Sequence, residues 1–347
     1  MTDLVEGLLA GKHSALARVI TKIENRSPGY REIISDLYRH TGHAEVIGVT
    51  GSPGAGKSTL VDKVAAAYRD RGLTVGVIAI DPSSPFSGGA VLGDRIRMAS
   101  NAGDMDVFFR SMSARGSLGG LSTATTDAVT ALDAFGKDVV IVETVGAGQN
   151  EVDIVRTADT VAVLVPPGSG DDVQMLKAGI LEIGDVFVVN KADLDGADRT
   201  VQQLREMLQN SNSSRGTGHH GHREAVDGNT PDEGDADDER ETWSPPIVET
   251  VANRSEGVES FIEALSDHGE FLDRTGKRER QARQRVAAEI RTLLREDVNG
   301  LIAGELDRHG GIEGYVDAVV ARETDPYTVV DEVLEPLRAC LNETRDT

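Results

Sequence analysis

Residues 46–61 read Val-Ile-Gly-Val-Thr-Gly-Ser-Pro-Gly-Ala-Gly-Lys-Ser-Thr-Leu-Val, and this stretch decides the fold. Its centre, Gly51 to Ser58, fits the pattern G-x-x-x-x-G-K-[ST] without a mismatch. A β-rich run, Val46–Thr50, precedes it and a helical run, Ser58–Arg71, follows it. In that context the motif is a phosphate cradle. Glycines let the backbone curl so that successive N–H groups point inward, and the following helix N-terminus favours negative charge. The expected binding loop is Gly51, Ser52, Pro53, Gly54, Ala55, Gly56, Lys57, Ser58 and Thr59. Lys57 is placed to reach the outer phosphates of a nucleoside triphosphate, and the Ser58 hydroxyl is placed to ligate Mg²⁺.

Outward from this loop the chain alternates. Further β-rich runs occur at Thr74–Ile80, Val107–Arg110, Val139–Val142, Thr160–Val165, Val186–Asn190 and Ile247–Thr250, with helical stretches such as Asp171–Ile183 between them. Alternation of this kind predicts an α/β fold: a mostly parallel, doubly wound sheet of the P-loop NTPase type, with ligands beyond the carboxyl ends of the strands. Asn190-Lys191-Ala192-Asp193 stands at one such end. The carboxylate of Asp193 can accept both the ring N–H and the exocyclic amine of guanine, a donor pair that adenine lacks. The stem of Lys191 can lie along the base, and Asn253, after the last run, is a candidate to frame it. GTP and GDP are therefore the expected ligands.

Asp81 and Glu143 also stand at strand ends. Carboxylates there either hold magnesium through water, together with Ser58, or cap the next helix. Gly146 occupies the position from which a backbone N–H can contact the γ-phosphate. Lys57, Glu143 and Gly146 are the expected catalytic set. Ala147, not a glutamine, follows Gly146, and Gln149 is two residues further on. Slow unaided hydrolysis, accelerated by a partner, is the expectation.

The flanks differ. Residues 1–42 carry helical periodicity, as in Leu16, Val19, Ile20 and Ile23, and Ser27-Pro28 marks a helix start. The P-loop domain is expected over 43–275. Within it, 210–241 is rich in Ser, Gly, His and Asp, too polar to offset ordering entropy, and reads as a disordered insertion. His219, His220 and His222 within it read as solvated side chains. Residues 276–347 return to helix, with stripes such as Ala287, Ile290, Leu293 and Leu294. The single cysteine, Cys340, excludes an internal disulfide and is expected to be buried.

The 347 residues carry a net charge of −22. That balance opposes nucleic acid and anionic membranes as partners, and its excess of acids resembles proteins of salt-loaded cytoplasms, as in halophiles. No apolar run approaches the length of a membrane span. The start lacks a signal-peptide pattern, so a cytoplasmic location is expected.

Taken together, Ala15–Thr21, the P-loop, Asp81-Pro-Ser-Ser84, Gly88-Gly89 with Leu92-Gly-Asp-Arg95, Glu143–Gln149 and Asn190–Asp193 resemble the methylmalonyl-CoA mutase-associated GTPases, the MeaB or ArgK-like family, which includes the human cobalamin-disorder type A protein. The resemblance covers roughly residues 10–205. It implies the signal-recognition and MinD-like branch of the fold and adds Asp94 to Asp81 and Glu143 around magnesium. It makes Arg97, Asp171, Gln174 and Lys177 switch residues and residues 276–347 a homodimerisation arm. The implied partner is an adenosylcobalamin-dependent acyl-CoA mutase, with GTP binding and hydrolysis gating cofactor loading or protection. Two rival functions share parts of the pattern: a nickel-insertion metallochaperone GTPase, which would need a Cys/His site, and a protein kinase of a transport system, which would need an acceptor base. A targeting GTPase would need a Met-rich domain or basic face that the chain lacks.

Overall fold

A computed structural model of the chain describes residues 2–82, 101, 104–114, 120–144, 154, 157–168, 180–215, 241–308 and 311–343. The expected positions Asp94, Arg97, Gly146, Asp171, Gln174 and Lys177 lie outside them, as do the three insertion histidines and the side chains of Asp81 and Cys340.

Seven parallel strands form one sheet in the order β3-β2-β4-β1-β5-β6-β7. They are β1 (Glu45–Gly51), β2 (Val75–Pro82), β3 (Val107–Ala114), β4 (Val139–Thr144), β5 (Thr160–Val165), β6 (Val186–Asn190) and β7 (Ile247–Thr250). The runs read as continuously apolar because both faces are covered. Successive residues of one strand enter opposite cores. Val140 and Val142 of β4 pack on one side with Val161, Val163 and Phe187, while Val139 and Ile141 pack on the other with Ala162, Leu164 and Val188.

The first face is roofed by helices α1 (Thr2–Leu9), α2 (His13–Glu24), α3 (Tyr30–Tyr38), α5 (Gly120–Ala134) and α6 (Ala197–Arg215). The second carries α4 (Lys57–Asp70) and α7 (Val258–Arg274). The first 42 residues are therefore not an appendage. Leu8, Leu16, Val19, Ile20, Ile23, Ile33 and Leu37 are buried in the same cluster as the sheet residues. The carboxylate of Asp133 in α5 clamps their exit, accepting from the backbone N–H of Gly42, His43 and Ala44 at 2.6, 3.2 and 3.1 Å.

Several boundaries differ from expectation. Strands β2, β3 and β4 run past the apolar residues into Pro82, Ala114 and Thr144, because backbone pairing continues where side-chain polarity changes. Helix α6 extends to Arg215, into the 210–241 stretch read as disordered. Propagating an established helix by a turn costs far less than nucleating one. Finally, the first compact unit ends at Arg283 and the second covers Gln284–Thr347, so the division falls inside α8 (Lys277–Arg308). In the second unit, Ile290, Leu294, Val298 and Leu301 of α8 recur every three or four residues and are exposed, as are Ile312, Val316 and Val320 of α9 (Ile312–Val320). Helix α10 (Pro326–Glu343) completes it. Among the described residues no helix is long and apolar enough to cross a membrane.

At the amino-terminal end of the sheet, Asp185 and His268 form a polar pair. His268 is fully buried. Its Nδ1 lies 2.8 Å from Thr160 Oγ1 and its Nε2 3.5 Å from Asp185 Oδ1. Burial pushes the Asp185 carboxyl up from 3.8 to about 7, against a hydrogen bond from the Val161 N–H. Burial, then the charges of Arg278 and Lys277, push His268 down from 6.5 to about 4. The consequence is a cancellation. Between about pH 4 and 6.5 the unfolded chain keeps one proton on histidine, and the folded chain keeps one on the aspartate. Neither state gains a proton from the pair, so the pair adds no pH dependence to stability there.

Single substitutions uncover the opposing slopes. With D185N only the depressed histidine remains, and stability relative to wild type should rise from pH 4 to 6.5. With H268Q only the raised carboxyl remains, and relative stability should fall as pH rises from about 4 to 7. Each slope is at most about 1.4 kcal/mol per pH unit. Urea unfolding across this pH range measures both; slopes of the same sign would refute the assignment.

Candidate functional site

The Gly51–Ser58 loop connects β1, at the sheet centre, to α4. Its shape requires glycine at both ends. Gly51 has φ +132°, and a Cβ there would stand 2.0 Å from the Leu164 carbonyl oxygen. Gly56 has φ +90°, and a Cβ there would meet Asn190 Nδ2 at 2.4 Å. Pro53 and Gly54 form the exposed tip, whereas Ser52, Ala55 and Lys57 are buried. Lys57 folds back over the loop, its Nζ donating to the carbonyls of Gly51 at 2.7 Å and Ser52 at 2.9 Å. A buried ammonium on a glycine-containing loop at a helix start is an arrangement suited to an anion, and polyphosphate fits it.

Ser58, on the first turn of α4, donates to Glu143 Oε1 at 2.5 Å. Glu143 shares the α4-covered side of β4 with Val139 and Ile141, which is why strand parity brings its carboxylate to this hydroxyl. Beneath them Thr144 Oγ1 donates to Thr50 Oγ1 at 2.8 Å, joining the ends of β4 and β1. An adjacent hydroxyl and carboxylate beside a phosphate cradle form a donor set of the hard-oxygen kind that magnesium takes, leaving further positions for water and phosphate. Asp81 lies within β2, its Cα paired with Ser113.

The Asn190–Asp193 motif lies beyond β6, directly beside the loop. Asn190 is a brace. Its Nδ2 donates to Ala55 O at 2.7 Å, and its Oδ1 accepts from Thr250 Oγ1 at 3.0 Å and the Ala252 N–H at 3.1 Å. One side chain thus binds the phosphate loop to the loop after β7. Lys191, at φ +63°, donates from Nζ to Gly54 O at 2.8 Å and so lies across the cleft toward the loop tip. Gly56, Thr59, Asn190, Lys191, Asp193, Leu194, Ala252 and Asn253 line a cavity of about 200 Å³. It joins the helix-side end of the phosphate loop to Asp193, the separation a nucleotide must bridge.

Of the residues lining this cavity, the sequence reading singled out neither Leu194 nor Ala252. Leu194 follows the motif directly and is exposed at the cavity. Arg254 reaches Asp193 from the loop after β7, Nη2 to Oδ2 at 3.4 Å. No sequence signal marks that pairing, because it joins residues on different loops. Among the described residues, no group of three or more His, Cys, Asp or Glu side chains is placed to hold a metal ion.

A protein of Pyrococcus abyssi, provisionally named a GTPase, is 46% identical over 339 residues, covering 96% of both chains. The GTPase ArgK of Escherichia coli is 32% identical over 315 residues, covering 89% of this chain and 88% of its own. The crystal structure of a LAO/AO transport system kinase superposes with a TM-score of 0.64 at 23% identity over 97% of both chains, a likeness of fold. The family model for methylmalonyl-CoA mutase-associated GTPases matches residues 16–306. With the phosphate loop, the Ser58–Glu143 pair and the Asp193 cavity assembled at one end of a P-loop sheet, the chain belongs to the MeaB family of methylmalonyl-CoA mutase-associated GTPases.

Proposed function

We propose that this chain binds GTP with magnesium, hydrolyses it slowly, and uses the change of nucleotide state to chaperone an adenosylcobalamin-dependent acyl-CoA mutase. The observation that carries the nucleotide part is spatial: the Lys57 cradle, the Ser58–Glu143 pair and the Asp193 cavity share one cleft. Ser58 and Glu143 would hold the magnesium, which neutralises charge on the phosphates when bound. Lys57 would leave its two loop carbonyls for phosphate oxygens. Asp193 would read the base edge while Lys191 covers its face. The glutamine that positions water in Ras-like enzymes has no counterpart directly after Gly146, which supports slow turnover until a partner contributes.

The mutase partner is supported by the family's association with methylmalonyl-CoA mutase. A homodimer is supported by the exposed apolar repeat on α8 and α9, since such faces are normally covered. Places beside magnesium for Asp81 and Asp94, switch roles for Arg97, Asp171, Gln174 and Lys177, and a γ-phosphate contact from Gly146 belong to the same proposal.

The test is a pull-down from native lysate with the protein loaded with GDP or a non-hydrolysable GTP analogue. A cobalamin-dependent mutase should be recovered preferentially in one state. Recovery indifferent to nucleotide would remove the gating mechanism, and rapid single-turnover hydrolysis without partner would remove the slow-enzyme reading.

A further inference from the structure

Arg254 closes a short 3-10 turn, Ala252–Arg254, directly after β7. The turn is fixed on both sides. Arg254 N donates to Val251 O at 2.9 Å, Ser255 N to Ala252 O at 3.1 Å, and Val251 N to Glu256 O at 3.0 Å. Ala252 is bound in turn by Asn190 Oδ1. The arginine's backbone is therefore held relative to Asn190, the last residue of β6, three residues before Asp193. From there its guanidinium reaches Asp193 Oδ2 at 3.4 Å and Glu256 Oε1 at 4.0 Å.

Asp193 lines the cavity and Arg254 does not. The cation thus holds the carboxylate without occupying the place of a base. A carboxylate offers about four lone-pair sites. A purine edge with adjacent ring N–H and amino donors uses two of them, and a guanidinium can keep a third. As an element of stability the contact counts for little, because its side chains are 58% and 29% exposed. Its use lies in orientation. An unheld aspartate samples several rotamers, and only those facing both oxygens to the cavity satisfy two donors at once.

We propose that Arg254 is a positioning residue for base selection: it holds the Asp193 carboxylate so that a 6-oxopurine bearing a 2-amino group is preferred over one without it. This rests on the guanine-site reading above. The experiment compares GDP and IDP binding to the full chain with magnesium, for wild type, R254A, R254Q and R254K. Inosine lacks only the 2-amino donor.

R254A and R254Q should bind GDP about tenfold more weakly and IDP nearly unchanged, narrowing the GDP-to-IDP ratio by about tenfold. R254K keeps the charge but not the planar fork, so its ratio should lie between. A purely structural role would lower the melting temperature and weaken both nucleotides equally, and would overturn the inference. So would tighter GDP binding by R254A, which would make the arginine a competitor for the carboxylate. Wild-type protein with no preference for GDP over ADP would instead remove the guanine-site reading itself. Selective wild type with equally selective R254A would remove only the role of Arg254.

Discussion

Replacing the Asp193 carboxylate by its amide, D193N, should lower GTP affinity by about 100-fold or more and open the site to xanthosine nucleotides. The aspartate carries two acceptor oxygens and lines the cavity with Lys191, Leu194 and Asn253. Guanine presents two adjacent donors to that edge. The amide offers one acceptor and one donor, so guanine's amino group would face an N–H and lose its partner. An unmatched buried donor costs more than a simple lost hydrogen bond. Xanthine carries an oxygen where guanine carries the amine and so matches the amide. Competition of XDP and GDP for a fluorescent nucleotide measures the exchange. Asp193 is partly exposed, with a 29% exposed side chain, so the variant should fold normally. Unaltered guanine preference would remove Asp193 from base reading.

The second large effect concerns the backbone. G51A should destabilise the protein by roughly 3–5 kcal/mol and abolish nucleotide binding together. Gly51 is the last residue of β1, paired in register with Leu164 of β5. A methyl group there would collide with the Leu164 carbonyl oxygen at 2.0 Å, and a backbone atom cannot rotate away as a side chain can. Its φ of +132° adds strain that only glycine escapes. The strands would have to spread at the centre of the sheet, at the point where the phosphate loop begins. G54A is the control. Gly54 also has positive φ, +77°, but nothing lies within 4 Å of its missing Cβ. Only backbone strain of about 1–2 kcal/mol should remain. Thermal melts of the two variants measure the difference, and equal losses would show that loop strain, not the β5 contact, dominates.

Much of this site was legible in the letters, for physical reasons. Phosphate binding by backbone amides imposes glycines at fixed intervals, so Gly51, Gly54 and Gly56 stand out whatever surrounds them. Strands buried on both faces appear as apolar runs, and β5 and β6 were delimited by them. Polarity was a poorer guide at strand ends. Glu143 and Thr144 read as the close of β4, yet both are in the ladder because hydrogen bonding there depends on the backbone.

What the sequence withheld is long-range. Leu16, Ile20 and Leu37 announced helices but not that these helices share a core with the sheet. Asn190 reads as one letter of a base-reading motif, and only the folded chain shows its side chain joining Ala55 to Thr250 and Ala252. Arg254 lies 61 residues beyond Asp193 in a loop without a signature, so their 3.4 Å approach is a product of strand order.

In the proposed function one cleft grips a polyphosphate at Lys57 and selects guanine at Asp193. Calorimetric titration of purified protein with GDP and ADP, each with magnesium, tests it most directly. GDP should bind at least about 100-fold tighter than ADP. Equal affinity for both, or a preference for ADP, would contradict it.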